Sequence, residues 1–153
     1  MNNGIGIVKI ADLVKDFLEK EFEKEPPEIK ITIARSYLET FDWNTTETVL
    51  LVCPDSSTTS YKAHGRLQRE ATIVVLLYKN LAQIGDAQTE EIDSLVGILE
   101  RLNALFCQNA EVAQGVNLYA DRMESSTEGL YSVDALTQGR FIGALQLTVF
   151  ESF

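Results

Sequence analysis

The stretch that decides the fold runs from Arg66 to Lys79 and reads RLQREATIVVLLYK. Its second half, Ile73 to Leu77, is apolar at every position. Such a run predicts a strand that is covered on both faces, as in the centre of a sheet or at a contact between subunits. The first half contains Arg66, Arg69 and Glu70, and we expect this charged half to project beyond the sheet.

Two shorter strands are predicted before this central strand. Residues alternate with period two from Ile29 to Leu38, and the apolar face of that segment changes to Arg35 and Tyr37 in its second half. The second strand covers Thr48 to Cys53 and is stopped by the proline that follows it. The stretch from Asp55 to Gly65 is polar and small and has no apolar period, so we expect a mobile loop there.

One more strand is predicted at the C-terminal end, where Phe141 to Glu151 alternates with period two. The preceding residues, 108–140, have the weakest pattern in the chain. Within them, residues 116–123 are compatible with an additional strand.

Two amphipathic helices complete the set of elements. Over residues 5–24, apolar residues recur at spacings of three and four, and Pro26-Pro27 ends that helix. Residues 86–107 repeat the pattern, and their first turns are rich in Asp and Glu, which suits the positive end of a helix dipole. The order is therefore α-β-β-β-α-(β)-β. It predicts a single α+β domain over residues 1–153, with a mixed, mainly antiparallel sheet and two helices packed on it.

The charge balance excludes several kinds of partner. The chain has 13 Lys and Arg against 23 Asp and Glu, a net charge of −10, which argues against binding of nucleic acid or adsorption to anionic membranes. No secretory leader or membrane-spanning run is expected. Cys53 and Cys107 fall in separate predicted elements, and free thiols in a reducing cytosol are the simplest interpretation.

Signals for catalysis are sparse. His64 is the only histidine, so the chain cannot form a two-histidine metal site. Cys53 and His64 flank the predicted loop without a recognisable oxyanion element, and Gly4-Ile5-Gly6 lacks both a preceding strand and a third glycine. The carboxylates of both helices occur at solvent-face spacing. We therefore predict no catalytic, cofactor-binding or metal-binding residues, and no enzymatic activity.

Six residues are candidates for a subunit or partner interface. They stand at strand ends in an acidic chain and include the Arg and Tyr types that are enriched at interfaces. Two interpretations stay open for them, ordinary exposure at a strand end or contact with another subunit. In the second case, basic strand ends would meet the acidic helix face of a neighbour. The candidates are Arg35, Tyr37, Tyr61, Lys62, Arg66 and Arg69.

From Ile7 to Val149 the order of elements resembles the tail terminator, or tail completion, proteins of long-tailed bacteriophages. The features that carry the resemblance are an N-terminal helix, an isoleucine-rich strand, a strand ending in Pro54 before a polar segment, the basic Arg66-Leu67-Gln68-Arg69 before a long apolar strand, an Ile/Leu helix beginning near Asp86, and a final Phe141-Ile142-Gly143-Ala144-Leu145-Gln146-Leu147-Thr148-Val149 strand.

The resemblance implies a non-enzymatic virion protein that needs no cofactor. It implies a homo-oligomeric ring, usually a hexamer, at the head-proximal end of the tail. Such a ring caps the tail tube, halts its polymerisation and joins the tail to the head connector protein, with DNA passing through the channel as cargo. The protein would be found in the virion neck, and in the host cytoplasm during assembly. By position, residues 55–65, Arg66 with Arg69, and residues 108–140 would be contact regions.

Other functions remain open from the sequence. One is another neck, head-completion or tube-like protein of the same virion. Such proteins also assemble as rings and differ in the partner that they bind. An acidic inhibitor that mimics DNA is suggested by the net charge, although the carboxylates are interspersed with Lys and Arg. A small enzyme with an unrecognised site is the remaining class.

Overall fold

The computed structural model describes residues 4–81, 86–106, 110–113, 116–119 and 131–153. These residues form six strands and three α-helices. In chain order they are α1 (Ile7–Lys24), β1 (Thr32–Arg35), β2 (Val49–Tyr61), β3 (Leu67–Asn80), α2 (Asp86–Phe106), β4 (Ala110–Ala113), β5 (Val116–Tyr119), α3 (Val133–Thr137) and β6 (Arg140–Ser152).

All six strands belong to one sheet, in the order β1-β2-β3-β6-β5-β4. Only β1 and β2 pair in parallel, and the other four pairings are antiparallel. β3 is central, because it pairs with β2 on one side and with β6 on the other along almost its whole length. The predicted α+β class with a mixed, mainly antiparallel sheet is confirmed.

The main core lies between one face of the sheet and the helices α1 and α2. Ile73, Val75 and Leu77 of β3 face the helices, whereas Leu76 and Tyr78 belong to a second cluster on the opposite face. Both faces of β3 are therefore covered, as its continuous apolar run predicted. Among the described residues, no helix is both long and apolar enough to cross a membrane.

The second face of the sheet is covered by the segment between β1 and β2. Phe41 and Trp43 pack edge-on against Tyr78, with ring centroids 5.9 and 4.8 Å from the Tyr78 ring. The Tyr78 hydroxyl donates to the Trp43 carbonyl at 2.5 Å, and the Asn80 amide donates to the Thr45 carbonyl at 2.8 Å. These bonds satisfy the buried hydroxyl and hold the connecting segment on the sheet.

The predicted first strand is shorter than its alternating pattern. Only Thr32–Arg35 is a strand, although the pattern runs from Ile29 to Leu38. The reason is the parallel register, in which Thr32 pairs with Val49, the first residue of β2. Residues before Thr32 have no neighbouring strand among the described residues, since β2 does not extend in that direction.

The predicted mobile loop over residues 55–65 is wrong for most of its length. β2 continues to Tyr61 and pairs with β3 as far as Leu67, with a bulge between Pro54 and Ser56. Nor does the charged half of β3 project beyond the sheet, because Arg69 pairs with Thr59 on one side and with Glu151 on the other. An apolar period appears only where one face of a strand is buried. The side chains of this part of β2 are exposed, so the sequence contains no such period there.

The helix and C-terminal strand predictions are confirmed, with small shifts in their ends. Of the additional strand at 116–123, the part over Val116–Tyr119 is observed, and residues 120–123 lie outside the described residues. Cys107 also lies outside them. The sequence did not predict β4 or the short helix α3, where the Ser132 hydroxyl accepts a hydrogen bond from the Ala135 amide at 3.2 Å.

Candidate subunit interface

The hairpin of β2 and β3 ends in a tight turn. We call residues 61–66 the hairpin tip. The Lys62 amide donates to the Arg66 carbonyl at 2.7 Å, and the chain reverses through His64 at φ 61° and Gly65 at φ 73°. Glycine adopts such positive φ values without steric cost, which suits the closing position of this turn.

The hairpin tip is basic and carries an exposed aromatic ring. Tyr61 is 71% exposed, and its hydroxyl accepts a hydrogen bond from the Gly65 amide at 3.4 Å. Lys62 and Arg66 are exposed beside it. Residues 56–69 contain no Asp or Glu, so the hairpin tip itself has a locally positive charge. An exposed aromatic ring flanked by cations is a common form of interface anchor.

The outer edge of β2 is open along its second half. β1 pairs with β2 only as far as Val52, and no described residue pairs with that edge from Pro54 to Tyr61. The side chains from Asp55 to Tyr61 are exposed. Pro54 lies at the start of this open edge, where a missing backbone N–H is tolerated.

The hydrogen-bond register shows which backbone groups the open edge presents. Leu67 exchanges both of its backbone hydrogen bonds with Phe153, at 2.7 and 3.0 Å, and therefore faces β6. Along an antiparallel strand, the backbone N–H and C=O groups of successive residues point alternately to the two neighbouring strands. Those of Arg69 therefore also point toward β6. Their partners in β2, Tyr61 and Thr59, must then direct N–H and C=O groups away from β3. An edge of this kind can accept another strand.

Arg69 differs from the other basic residues near the hairpin tip. Its guanidinium forms a 2.5 Å ion pair with Glu151, and the two side chains are only 15% and 4% exposed. It also lies over the Phe153 ring, 4.8 Å from the centroid. The Ile5 amide donates to the same Glu151 carboxylate. Arg69 therefore joins β3, β6 and the N-terminal segment within one subunit.

Gly4 is required by this arrangement. Its φ is +69°, and a Cβ at this position would collide with the Glu151 carboxylate. The N-terminal segment can therefore approach the ion pair only because residue 4 has no side chain.

Arg35 and Tyr37 form a second group, at the end of β1. The Arg35 guanidinium forms a 2.9 Å ion pair with Asp12 of α1 and lies 5.4 Å from the centroid of the Tyr37 ring. One terminal nitrogen of this guanidinium, Nη1, is buried and has no hydrogen-bond partner among the described residues. Arg35 pairs with Val52, nine residues before Tyr61, so the two groups lie about 30 Å apart along the sheet.

The Cys53 and His64 side chains do not come together. Cys53 is buried at the level of Val74, whereas His64 lies at the hairpin tip, 11 residues further along the chain. Burial raises the pKa of the Cys53 thiol to about 11, with the Glu39 carboxylate acting in the same direction and Arg35 opposing it. Within the described residues, no three His, Cys, Asp or Glu side chains are grouped so that they could hold a metal ion.

The structure thus divides the six candidates into an exposed tip, a group at the end of β1, and an internal ion pair. Sequence reasoning missed the open edge of β2, although its Thr58-Thr59 pair has high strand propensity. It also missed a groove at the opposite end of the molecule, between α1 and the segment that enters β1. No protein-family model matches this chain, and a search of curated proteins finds no significant relative.

Proposed function

We propose that this protein is a structural subunit that assembles with copies of itself into a ring and caps a phage tail tube, as tail terminator proteins do. It acts without catalysis and without a cofactor. The observation that carries the proposal is the long β2–β3 hairpin, which presents an open strand edge and a basic tip on an acidic molecule.

The hairpin supports assembly because natural monomers normally protect such an edge. Charged side chains, prolines, bulges and covering loops are the usual means. Here a proline and a bulge protect only the start of the edge, and the residues from Ser56 to Tyr61 are uncharged. An edge of this composition is stable in solution when another chain covers it.

The charge supports the proposed role in the neck. A net charge of −10 per subunit repels phosphates, so DNA could pass through a ring of such subunits without binding to it. The head connector protein and the tail-tube protein would then be bound through the outer rims of the ring.

Assembly can be tested directly with the purified chain and the tail-tube protein of the same genome. Light scattering after gel filtration should show a closed oligomer, either alone or on tubes, and negative-stain images should show rings. Tubes grown with a small amount of the protein should be shorter than tubes grown without it, because capped ends stop growing. A monomer under both conditions, together with unchanged tube lengths, would contradict the proposed function.

A further inference from the structure

A groove lies at the end of the molecule opposite the hairpin tip. We call it the acidic groove. It runs between the last turns of α1 and the segment that enters β1, and it encloses about 420 Å³. Its floor is apolar and consists of Phe22, Pro26, Pro27, Ile29, Ile31 and Ile33.

The rim of the groove carries both signs of charge. Glu23 and Lys30 line it, together with Glu19, whose carboxylate pairs with Lys15 at 2.9 Å. An adjoining cavity of about 480 Å³ shares the Pro26-Pro27 wall and adds Glu25, Glu28 and Asp93 to this end of the molecule.

The cation of the adjoining cavity is already engaged within the subunit. Arg101 donates to the Glu21 carbonyl at 3.2 Å and lies over the Phe22 ring, 4.8 Å from its centroid. In contrast, Glu23, Glu25 and Glu28 form no ion pair within the described part of the chain and are exposed. Their negative charge is therefore available to a partner.

We propose that the acidic groove binds the hairpin tip of a second copy of this chain. Tyr61 would pack on the apolar floor. Lys62 and Arg66 would pair with the exposed carboxylates at this end of the molecule, which include Glu23 and Glu28. The inference rests on the proposed function and names the two surfaces that join neighbouring subunits. It commits to a second copy because this chain itself carries the complementary anchor, an exposed aromatic ring flanked by two cations.

The hairpin tip and the acidic groove of one subunit are too far apart in the sheet to contact each other. Ile33 of the groove is level with Leu50, and Tyr61 lies 11 residues beyond Leu50 in the same strand. That separation is about 35 Å at the usual rise of an extended strand. A surface at one end that fits a different surface at the other end produces head-to-tail contacts, and these close into rings when the rotation allows it.

Charge reversal tests the contact. The tip variant, Lys62→Glu with Arg66→Glu, and the groove variant, Glu23→Lys with Glu28→Lys, should each fail to assemble alone. Mixed in equal amounts, they should assemble, because each variant then meets a complementary surface on the other. One chain carrying all four substitutions should also assemble. All of these positions are on the surface, so circular dichroism and the urea midpoint should match those of the wild type.

Matched controls separate this contact from a general effect of charge. Lys9→Glu with Lys20→Glu, and Glu90→Lys with Glu100→Lys, change the net charge equally at exposed positions outside both surfaces. Both controls should assemble as the wild type does. Tyr61→Phe should retain assembly, whereas Tyr61→Ala should weaken it by about 30-fold or more, as expected for an interface hot spot.

The outcomes distinguish this inference from the proposed function. If the wild type forms rings and the tip and groove variants do so equally well, the contact is wrong and the ring remains. If the groove variant loses only its binding to tail-tube protein, the groove belongs to that partner and the inference is overturned. If the wild type stays monomeric alone and with tail tubes, both proposals fail.

Discussion

The ion pair between Arg69 and Glu151 joins three parts of the chain that are far apart in sequence. Both side chains are largely buried, and the carboxylate also accepts the Ile5 amide. Arg69→Glu would therefore be a poor test of an interface, because it would place two carboxylates against each other inside the subunit. Arg66, which is exposed, is the appropriate position for that test.

Arg69→Met should destabilise the protein by about 3 kcal/mol, because it leaves the buried Glu151 carboxylate without its partner. Urea unfolding followed by circular dichroism measures the effect. Adding Glu151→Gln should recover more than half of the loss, since the amide oxygen can still accept the Ile5 amide and no charge remains buried. Arg66→Met is the control, with an expected change within about 0.5 kcal/mol. Equal effects of Arg69→Met and Arg66→Met would show that the ion pair does not stabilise the fold.

The buried Cys53 thiol should make the stability of the protein depend on pH. Burial raises its pKa from 9.0 to about 11, so the native protein keeps the thiol proton over a range in which the unfolded chain releases it. The contribution to stability is complete below pH 9, falls as the pH rises from 9 to 11, and is lost above that range.

A Cys107→Ser variant isolates Cys53 for this measurement. Thiolate absorbance in the ultraviolet should rise with a midpoint near pH 11 in the native protein and near pH 9 in urea. A variant that also carries Cys53→Ala provides the background from tyrosine ionisation. A native midpoint near pH 9 would mean that water reaches the thiol in the folded protein.

At the scale of elements, the β2–β3 hairpin has two kinds of backbone position. Thr58 pairs with Glu70 and directs its N–H toward β3, whereas the N–H of Thr59 points to the open edge. Thr58→Pro should therefore break a ladder hydrogen bond and cost about 1–3 kcal/mol. For a chain of this size that lowers the melting temperature by about 2–4 °C for each kcal/mol.

Thr59→Pro is the matched control for Thr58→Pro. Its expected effect on the isolated subunit is within about 0.5 kcal/mol, because the N–H that it removes has no partner strand in the described part of the chain. Thermal unfolding of the two variants side by side measures the difference. Equal destabilisation by both prolines would contradict the register and show that the outer edge is already paired in the monomer.

At the scale of the whole molecule, two electrostatic effects act on assembly in opposite directions. Every subunit has a net charge of −10, so copies repel one another at long range. In the proposed contact, the basic hairpin tip and the acidic groove would attract each other at short range. The Debye length is about 30 Å at 0.01 M salt, about 8 Å at physiological salt and about 3 Å at 1 M, so salt removes the long-range repulsion first.

Ring formation should therefore be strongest at intermediate salt. At low salt the net charge keeps subunits apart, and at about 1 M salt the attraction between tip and groove is itself screened. Sedimentation velocity over a series of sodium chloride concentrations measures this profile. A steady increase of assembly up to the highest salt would indicate a contact held by apolar burial alone, with no contribution from the charged groups.

The helices and strands that bury one or both faces follow from the pattern of apolar residues alone. α1, α2, the central strand and β6 were predicted with nearly correct ends, because a buried face imposes a period of 3.6 or 2 on the apolar residues. The fold class follows from the order of these elements. The basic character of the hairpin tip could also be predicted from the sequence, since formal charge depends only on which residues are present.

The extent of β2, the contacts of Arg69 and the position of the acidic groove depend on tertiary contacts that no local pattern records. The second half of β2 is held by backbone hydrogen bonds that leave no apolar period in the side chains. Arg69 meets a partner 82 residues away, and no local pattern reports such a contact. The groove exists because β1 begins to pair with β2 only at Thr32. The isoleucines before Thr32 are therefore left beside α1. Side-chain periodicity records burial, whereas these three features depend on which backbone groups and distant residues meet in space.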